Sequence, residues 1–81
     1  MNMDEIREIL VNKIAELCGV DPASITDETE PIKDLGMKSA TIVVLIAYLE
    51  DKLDVDIDFM KFRRALSIAQ GVQFLDNLCN G

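Results

Sequence analysis

The chain has 81 residues, 49% of them hydrophobic, with four aromatics, no tryptophan and no histidine, and a formal charge of −7. That is enough for one small domain, expected to span residues 1–81, with a mostly aliphatic core, and it is not a disordered composition. A net acidic chain lacks the electrostatic footprint for nucleic acid and is repelled by anionic membranes, so basic protein partners are the general expectation.

The first predicted helix is MDEIREILVNKIAEL, in which Ile6, Ile9, Leu10, Ile14 and Leu17 recur at helical spacing opposite a charged face. Asp4 and Glu5 suit the positive end of its dipole. Acids so near the start do not resemble a signal or transit peptide, and the longest apolar run, Ala40 to Leu49, is too short to span a bilayer; a cytoplasmic location without membrane insertion is expected. CGVDPASITDETEPIKDLGMK follows as a long loop, opened by Gly19, punctuated by Pro22 and Pro31, and pinned by Ile25, Ile32 and Leu35. Connections of this length in a compact domain are often functional.

The second predicted helix covers Ser39 to Leu53. Its β-branched run also suits a strand, but its length and the LEDKL that follows favour helix. DVDIDFMKFRRAL reads as a turn and a short third helix. Asp54, Asp56 and Asp58 imitate the start of an EF-hand loop, but its sixth position holds Phe59 and its twelfth Ala65, so the expected role is an acidic cap and not calcium. The last helix opens on Ser67 and Gln70 at capping-box spacing, with Val72, Leu75 and Leu78 as its buried stripe, Phe74 alongside, and a costly Gly71 that asks for a packing reason. The expected fold is all-α: a small four-helix bundle with three longer helices, a short third one and one long connection.

Catalytic constellations are missing. Without histidine there is no Ser–His or Cys–His pair, two cysteines alone make no zinc site, and no phosphate-binding glycine loop occurs, so neither a catalytic residue nor a metal is expected. Cys18 and Cys79 form no disulfide framework, although a bridge between them, or between chains, stays open.

The informative stretch is DLGMKSATIVVLIAYLE, residues 34–50. Ser39 stands after a glycine turn at a helix start, and two readings are open. It is an N-cap, as serines in such places commonly are, or it carries an esterified phosphate beside the helix's free N–H groups, with Lys38 adding a cation.

DLGMKS resembles the phosphopantetheine attachment site of acyl carrier proteins, Asp-Leu-Gly-x-Asp-Ser. The resemblance extends over GVDPASITDETEPIKDLG, LIAYLEDKLDVDID and SIAQGVQFLDNL, which is essentially the whole chain. It implies a non-catalytic, monomeric carrier in lipid metabolism, including fatty acid biosynthesis. A 4'-phosphopantetheine arm would be attached to Ser39 within a site of Asp34, Leu35, Gly36 and Lys38, and acyl groups would ride on it as thioesters. The implied partners are a phosphopantetheinyl transferase and acyl-activating and acyl-modifying enzymes. An acyl shelter between the helices would be lined by Val43, Ile46, Phe62, Ile68 and Leu75, residues that also need no reason beyond the core.

The chain departs from the family pattern at Lys38, where an aspartate is usual, and at Ala40, where a leucine is usual. The outward positions that usually show acids to partners hold Thr41 and Val44, with Ala47 and Tyr48 further along, and the short third helix carries Lys61, Arg63 and Arg64. Either this is drift or Ala40, Thr41, Val44, Ala47, Tyr48, Lys61, Arg63 and Arg64 meet a changed partner set in a specialised lipid or secondary-metabolite pathway. Two alternatives remain: an aminoacyl or peptidyl carrier, and a helical adaptor in which Ser39 only caps.

Overall fold

The computed structural model describes all 81 residues, and every regular element in it is helical. α1 is Met3–Cys18, α2 Pro31–Leu35, α3 Ser39–Leu53, α4 Phe59–Arg64 and α5 Ile68–Asn80, with a single 3₁₀ turn at Pro22–Ser24. The three long helices and the short one before the last agree with the sequence reading, and α3 has the expected bounds. The addition is α2, one turn of helix inside the long connection. Pro31 starts it where a missing N–H costs nothing, and Gly36 ends it in the left-handed region at φ 68°.

Local chemistry sets the ends of these helices. α1 opens with a capping box: Glu5 N–H donates to Asn2 Oδ1 at 2.8 Å, and Asn2 N–H to Glu5 Oε1 at 3.3 Å. Ser67 and Gln70 form the expected box on α5, at 3.2 and 3.0 Å. Asp58 accepts from Lys61 N–H at 3.0 Å and so caps α4, as the acidic-turn reading required. Asp54 takes the left-handed conformation that closes α3.

Sixteen buried hydrophobic side chains, drawn from all the long helices, α4 and the connections, form one cluster, and no polar side chain is buried. α1 lies at its centre, packed on α5 and α3, while α4 packs on α3. α1 and α5 run antiparallel, since Asn80 Nδ2 donates to Met1 O at 2.9 Å. Two expectations about burial need correction. Leu78 is 41% exposed, because a 3.6-residue period through Ile68, Val72 and Leu75 next reaches Cys79, which packs against the core instead. Ile32 is exposed too, leaving Ile25 buried and Leu35 half-buried as the pegs of the connection.

The connection is held by polar contacts as well. Arg7 Nε meets Asp27 Oδ1 at 2.8 Å, and the first free amides of α5, Ile68 and Ala69, donate to Thr29 O and Asp27 O at 2.9 and 3.0 Å. The segment leading to Ser39 is therefore tied to α1 and α5 before it turns into α3.

Candidate functional site

Ser39 is the first residue of α3, exposed, and not the cap: Lys38 occupies the N-cap position, and no side chain caps the helix. This overturns the capping reading of Ser39. Its hydroxyl makes no hydrogen bond, and the amides of Ser39, Ala40 and Thr41 find no acceptor, the helix ladder beginning with Ile42 N–H to Lys38 O at 3.0 Å. A free hydroxyl thus stands among three free N–H donors at the positive end of a fifteen-residue helix. A phosphodiester on Ser39 fits this arrangement, because its charge would meet unsatisfied donors and displace no existing bond.

The residues before Ser39 build the turn that presents it. Asp34 accepts the Glu30 N–H at 2.8 Å, which spends its carboxylate on holding the start of α2. Leu35 packs against the core, and Gly36 reverses the chain with its N–H bonded to Pro31 O. Gly36 has to be glycine or pay left-handed strain at φ 68°. Met37 follows Pro31 O with its own N–H at 3.1 Å and is buried. Lys38 is exposed beside Ser39 and has no carboxylate partner.

A cavity of about 40 Å³ lies next to this turn, between Met37, Ile42 and Leu45 on one side and Phe62, Ile68 and Gly71 on the other. Exposed Ile32, Arg63 and Leu66 stand at its rim. It has room for a few water molecules and is not a preformed tunnel. The lining corrects the expected acyl shelter. Phe62 and Ile68 belong to it, but Val43 is 55% exposed on the opposite side of α3, and Ile46 and Leu75 are buried elsewhere in the core. At 100° per residue, Val43 stands about 100° from Ile42, enough to swing it from core to solvent.

The outer face of α3 is apolar for two turns: Ala40, Val43, Val44 and Ala47 are all exposed. Thr41 is half-buried. Tyr48, expected on this face, is half-buried against α1, with Lys13 Nζ 4.5 Å and Lys52 Nζ 5.8 Å from its ring centroid. It stands about 110° from the middle of the buried side, which puts it on the seam between the helices. On α4, Lys61, Arg63 and Arg64 are exposed, and none is paired: the ion pairs of the molecule are Arg7–Asp27 and Lys13–Glu16.

Sequence reasoning missed Met37 as part of the cavity and Val43 as part of the outer face. The second was legible, since Val43 and Val44 stand three and four residues from both Ala40 and Ala47.

A family model described as "Phosphopantetheine attachment site" matches residues 8–75. An acyl carrier protein of Campylobacter curvus is 32% identical over 75 residues, covering 93% of this chain and 92% of the relative. One from Helicobacter pylori (strain G27) is 36% identical over 64 residues, covering 79% and 82%. One from a Sulfurovum species is 24% identical over 75 residues, covering 93% and 95%.

Proposed function

Since the chain belongs to the acyl carrier protein family, a non-catalytic carrier that works through phosphopantetheine, we propose that Ser39 is the residue that bears the arm. The observation carrying this is the unbonded, exposed Ser39 hydroxyl among the three free amides of α3. A serine kept as a cap would have its oxygen on a backbone N–H two or three residues on, as Ser67 does. When bound, the arm supplies a thiol on which acyl groups ride as thioesters. The chain's own residues hold and present it: Ser39 Oγ provides the ester oxygen, the first amides of α3 face the phosphate charge, Lys38 adds a nearby cation, and Asp34, Leu35 and Gly36 keep the turn in shape.

As a carrier the protein interacts with a phosphopantetheinyl transferase and with acyl-processing enzymes. The relatives' name favours acyl over aminoacyl or peptidyl cargo. We place residues 1–81 as one carrier domain, monomeric and cytoplasmic; no helix is long and apolar enough to cross a membrane. The cations of α4 and the apolar face of α3 support service in a specialised lipid or secondary-metabolite pathway, distinct from bulk fatty acid synthesis.

The test is intact mass after incubation with coenzyme A, magnesium and a broad-specificity phosphopantetheinyl transferase. Wild type is expected to gain one phosphopantetheine and Ser39→Ala none. A folded wild type that gains nothing with several transferases, or a Ser39→Ala protein that still gains one, would overturn the assignment.

A further inference from the structure

The start of α1 and the end of α5 are joined through one side chain. Asn80, exposed in the last turn of α5, donates from Nδ2 to Met1 O at 2.9 Å and to Asp76 Oδ1 at 2.8 Å. Met1 precedes Asn2, the cap of α1, so this contact clasps the two helices at their ends. The chain's four asparagines, Asn2, Asn12, Asn77 and Asn80, are followed by Met3, Lys13, Leu78 and Gly81. Only after Asn80 does the next residue lack a Cβ, so only there does the following backbone nitrogen have open access to the side-chain carbonyl carbon.

An asparagine in that position reacts with its own backbone. The Gly81 nitrogen, having given its proton to hydroxide, bonds to Asn80 Cγ. The Cγ–Nδ2 bond breaks, and Nδ2 leaves as ammonia with a proton from water, which restores the hydroxide. The five-membered imide takes up one water at either carbonyl and opens to aspartate or isoaspartate. The sum is a hydrolysis, with water as co-reactant and nothing oxidised or reduced. The folded chain opposes the first step. Gly81 N–H donates to Asn77 O at 3.0 Å, and Nδ2 is held by Met1 O and Asp76 Oδ1. A helical residue also leans its side chain toward the helix N-terminus, away from the nitrogen that follows it. These restraints sit on exposed residues at a helix end, which opens at little cost, so fraying of the last turn of α5 sets the rate.

We propose that Asn80 is a deamidation site whose product opens the clasp between α1 and α5. The product carboxylate has no hydrogen to offer Met1 O or Asp76, so both bonds are lost. Its charge stands four residues from the Asp76 carboxylate on one helix face, where like charges repel. It also falls at the negative end of the α5 dipole, in a last turn that holds no basic residue to answer it. Isoaspartate goes further, because its extra backbone carbon breaks the helical repeat. The consequence is release of Met1 and fraying of the last turn of α5. The rest of both helices is held by the common core, in which Ile6 and Leu75 are fully covered. Ser39 takes no part in this chemistry, so the site stands whether or not the chain bears phosphopantetheine.

The test keeps the whole chain in warm, mildly alkaline buffer. Peptide mapping reads the gain of one mass unit, and an isoaspartyl carboxyl methyltransferase with a labelled methyl donor reads isoaspartate. Asn80 is expected to react roughly tenfold faster than Asn2, Asn12 or Asn77. Asp76→Ala removes one acceptor of Nδ2 and should raise the Asn80 rate about threefold, with a further rise in denaturant. Asn80→Asp stands in for the aspartate product at an exposed position. In it, hydrogen exchange should quicken at Glu5 and Ile6, whose amides are bonded to Asn2, and at Gly81, bonded to Asn77, and stay unchanged at Leu10 and Gly71. Three results would overturn the proposal: an Asn80 no faster than the other asparagines, an Asp76→Ala rate equal to wild type, or an Asn80→Asp protein with Glu5, Ile6 and Gly81 as protected as before.

Discussion

Gly71 of α5 faces Leu10 of α1 so closely that a Cβ at Gly71 would stand 3.3 Å from Leu10 Cδ2. Gly71 lies in the first turn of the thirteen-residue α5, and Leu10 is what any side chain there would meet. The two residues also meet at the wall of the cavity beside Phe62 and Ile68. Leu10 Cδ2 is the end of a flexible side chain with open volume next to it, so it can give way. Gly71→Ala is therefore expected to stabilise the protein by up to about 1 kcal/mol through helix propensity, raising Tm by several degrees. Gly71→Leu, which the cavity cannot absorb, should cost about 1–3 kcal/mol. Thermal unfolding of the three proteins decides between this and a site closed to any side chain.

Ser39 and Ser67 begin two helices and differ in what their hydroxyls do. Ser67 accepts from Gln70 N–H at 3.2 Å within a capping box, whereas Ser39 is bonded to nothing. Ser67→Ala is expected to cost about 1 kcal/mol. Ser39→Ala should change stability by no more than about 0.5 kcal/mol, because it removes no bond and alanine is the better helix former. Urea denaturation checks both. A loss near 1 kcal/mol for Ser39→Ala would return that serine to a structural role.

The connection before α3 is tied to α1 by Arg7 and Asp27, whose side chains are 37% and 62% exposed. At that exposure the pair is worth at most about 1 kcal/mol and less in salt. Its larger effect is local. Arg7→Ala should leave global stability nearly unchanged while speeding amide exchange at Ile68 and Ala69, whose acceptors are Thr29 O and Asp27 O in the tethered segment. Hydrogen exchange by NMR reads this directly, and unaltered protection at both amides would show that the backbone bonds hold the segment alone.

Cys18 and Cys79 end two antiparallel helices and so lie at opposite ends of the molecule, about 20 Å apart. No bridge between them is compatible with this fold, and mild oxidation of dilute protein should not yield the two-hydrogen mass loss of an internal disulfide. Burial raises the Cys18 pKa above its ordinary value, which lowers its thiolate fraction. In a Cys79→Ser background, Cys18 should be alkylated more slowly in the native protein than in denaturant. The sign for stability follows: a group whose native pKa is raised contributes fully below its unfolded value, and that contribution is lost as alkaline pH passes through the native one.

The four main helices, their order and most of their boundaries were legible in the chain, because they rest on local chemistry: a 3.6-residue apolar period, Ser67 with Gln70, Asp58 before α4, glycine after α1. So was Ser39 as the residue of interest, through the turn that precedes it. Less was legible wherever position depended on which neighbour lay across the core. Val43 and Ile46 look alike in the sequence, yet one is exposed and the other buried, since α1 and α4 cover only one side of α3. Tyr48 belonged to the outer face by pattern and to the α1 seam by packing.

By itself the sequence determined an all-helical fold, since capping, turn and period are properties of neighbouring residues, and it singled out Ser39 through a resemblance to acyl carrier proteins. Only the tertiary structure decided that Ser39 is an uncapped, unbonded hydroxyl, that the cavity belongs to Met37 and Ile42 and not to Val43, and that α4 presents its cations unpaired. The cavity and the unpaired cations depend on side chains brought together from distant parts of the chain, where packing of the whole core, and no local rule, sets what faces solvent.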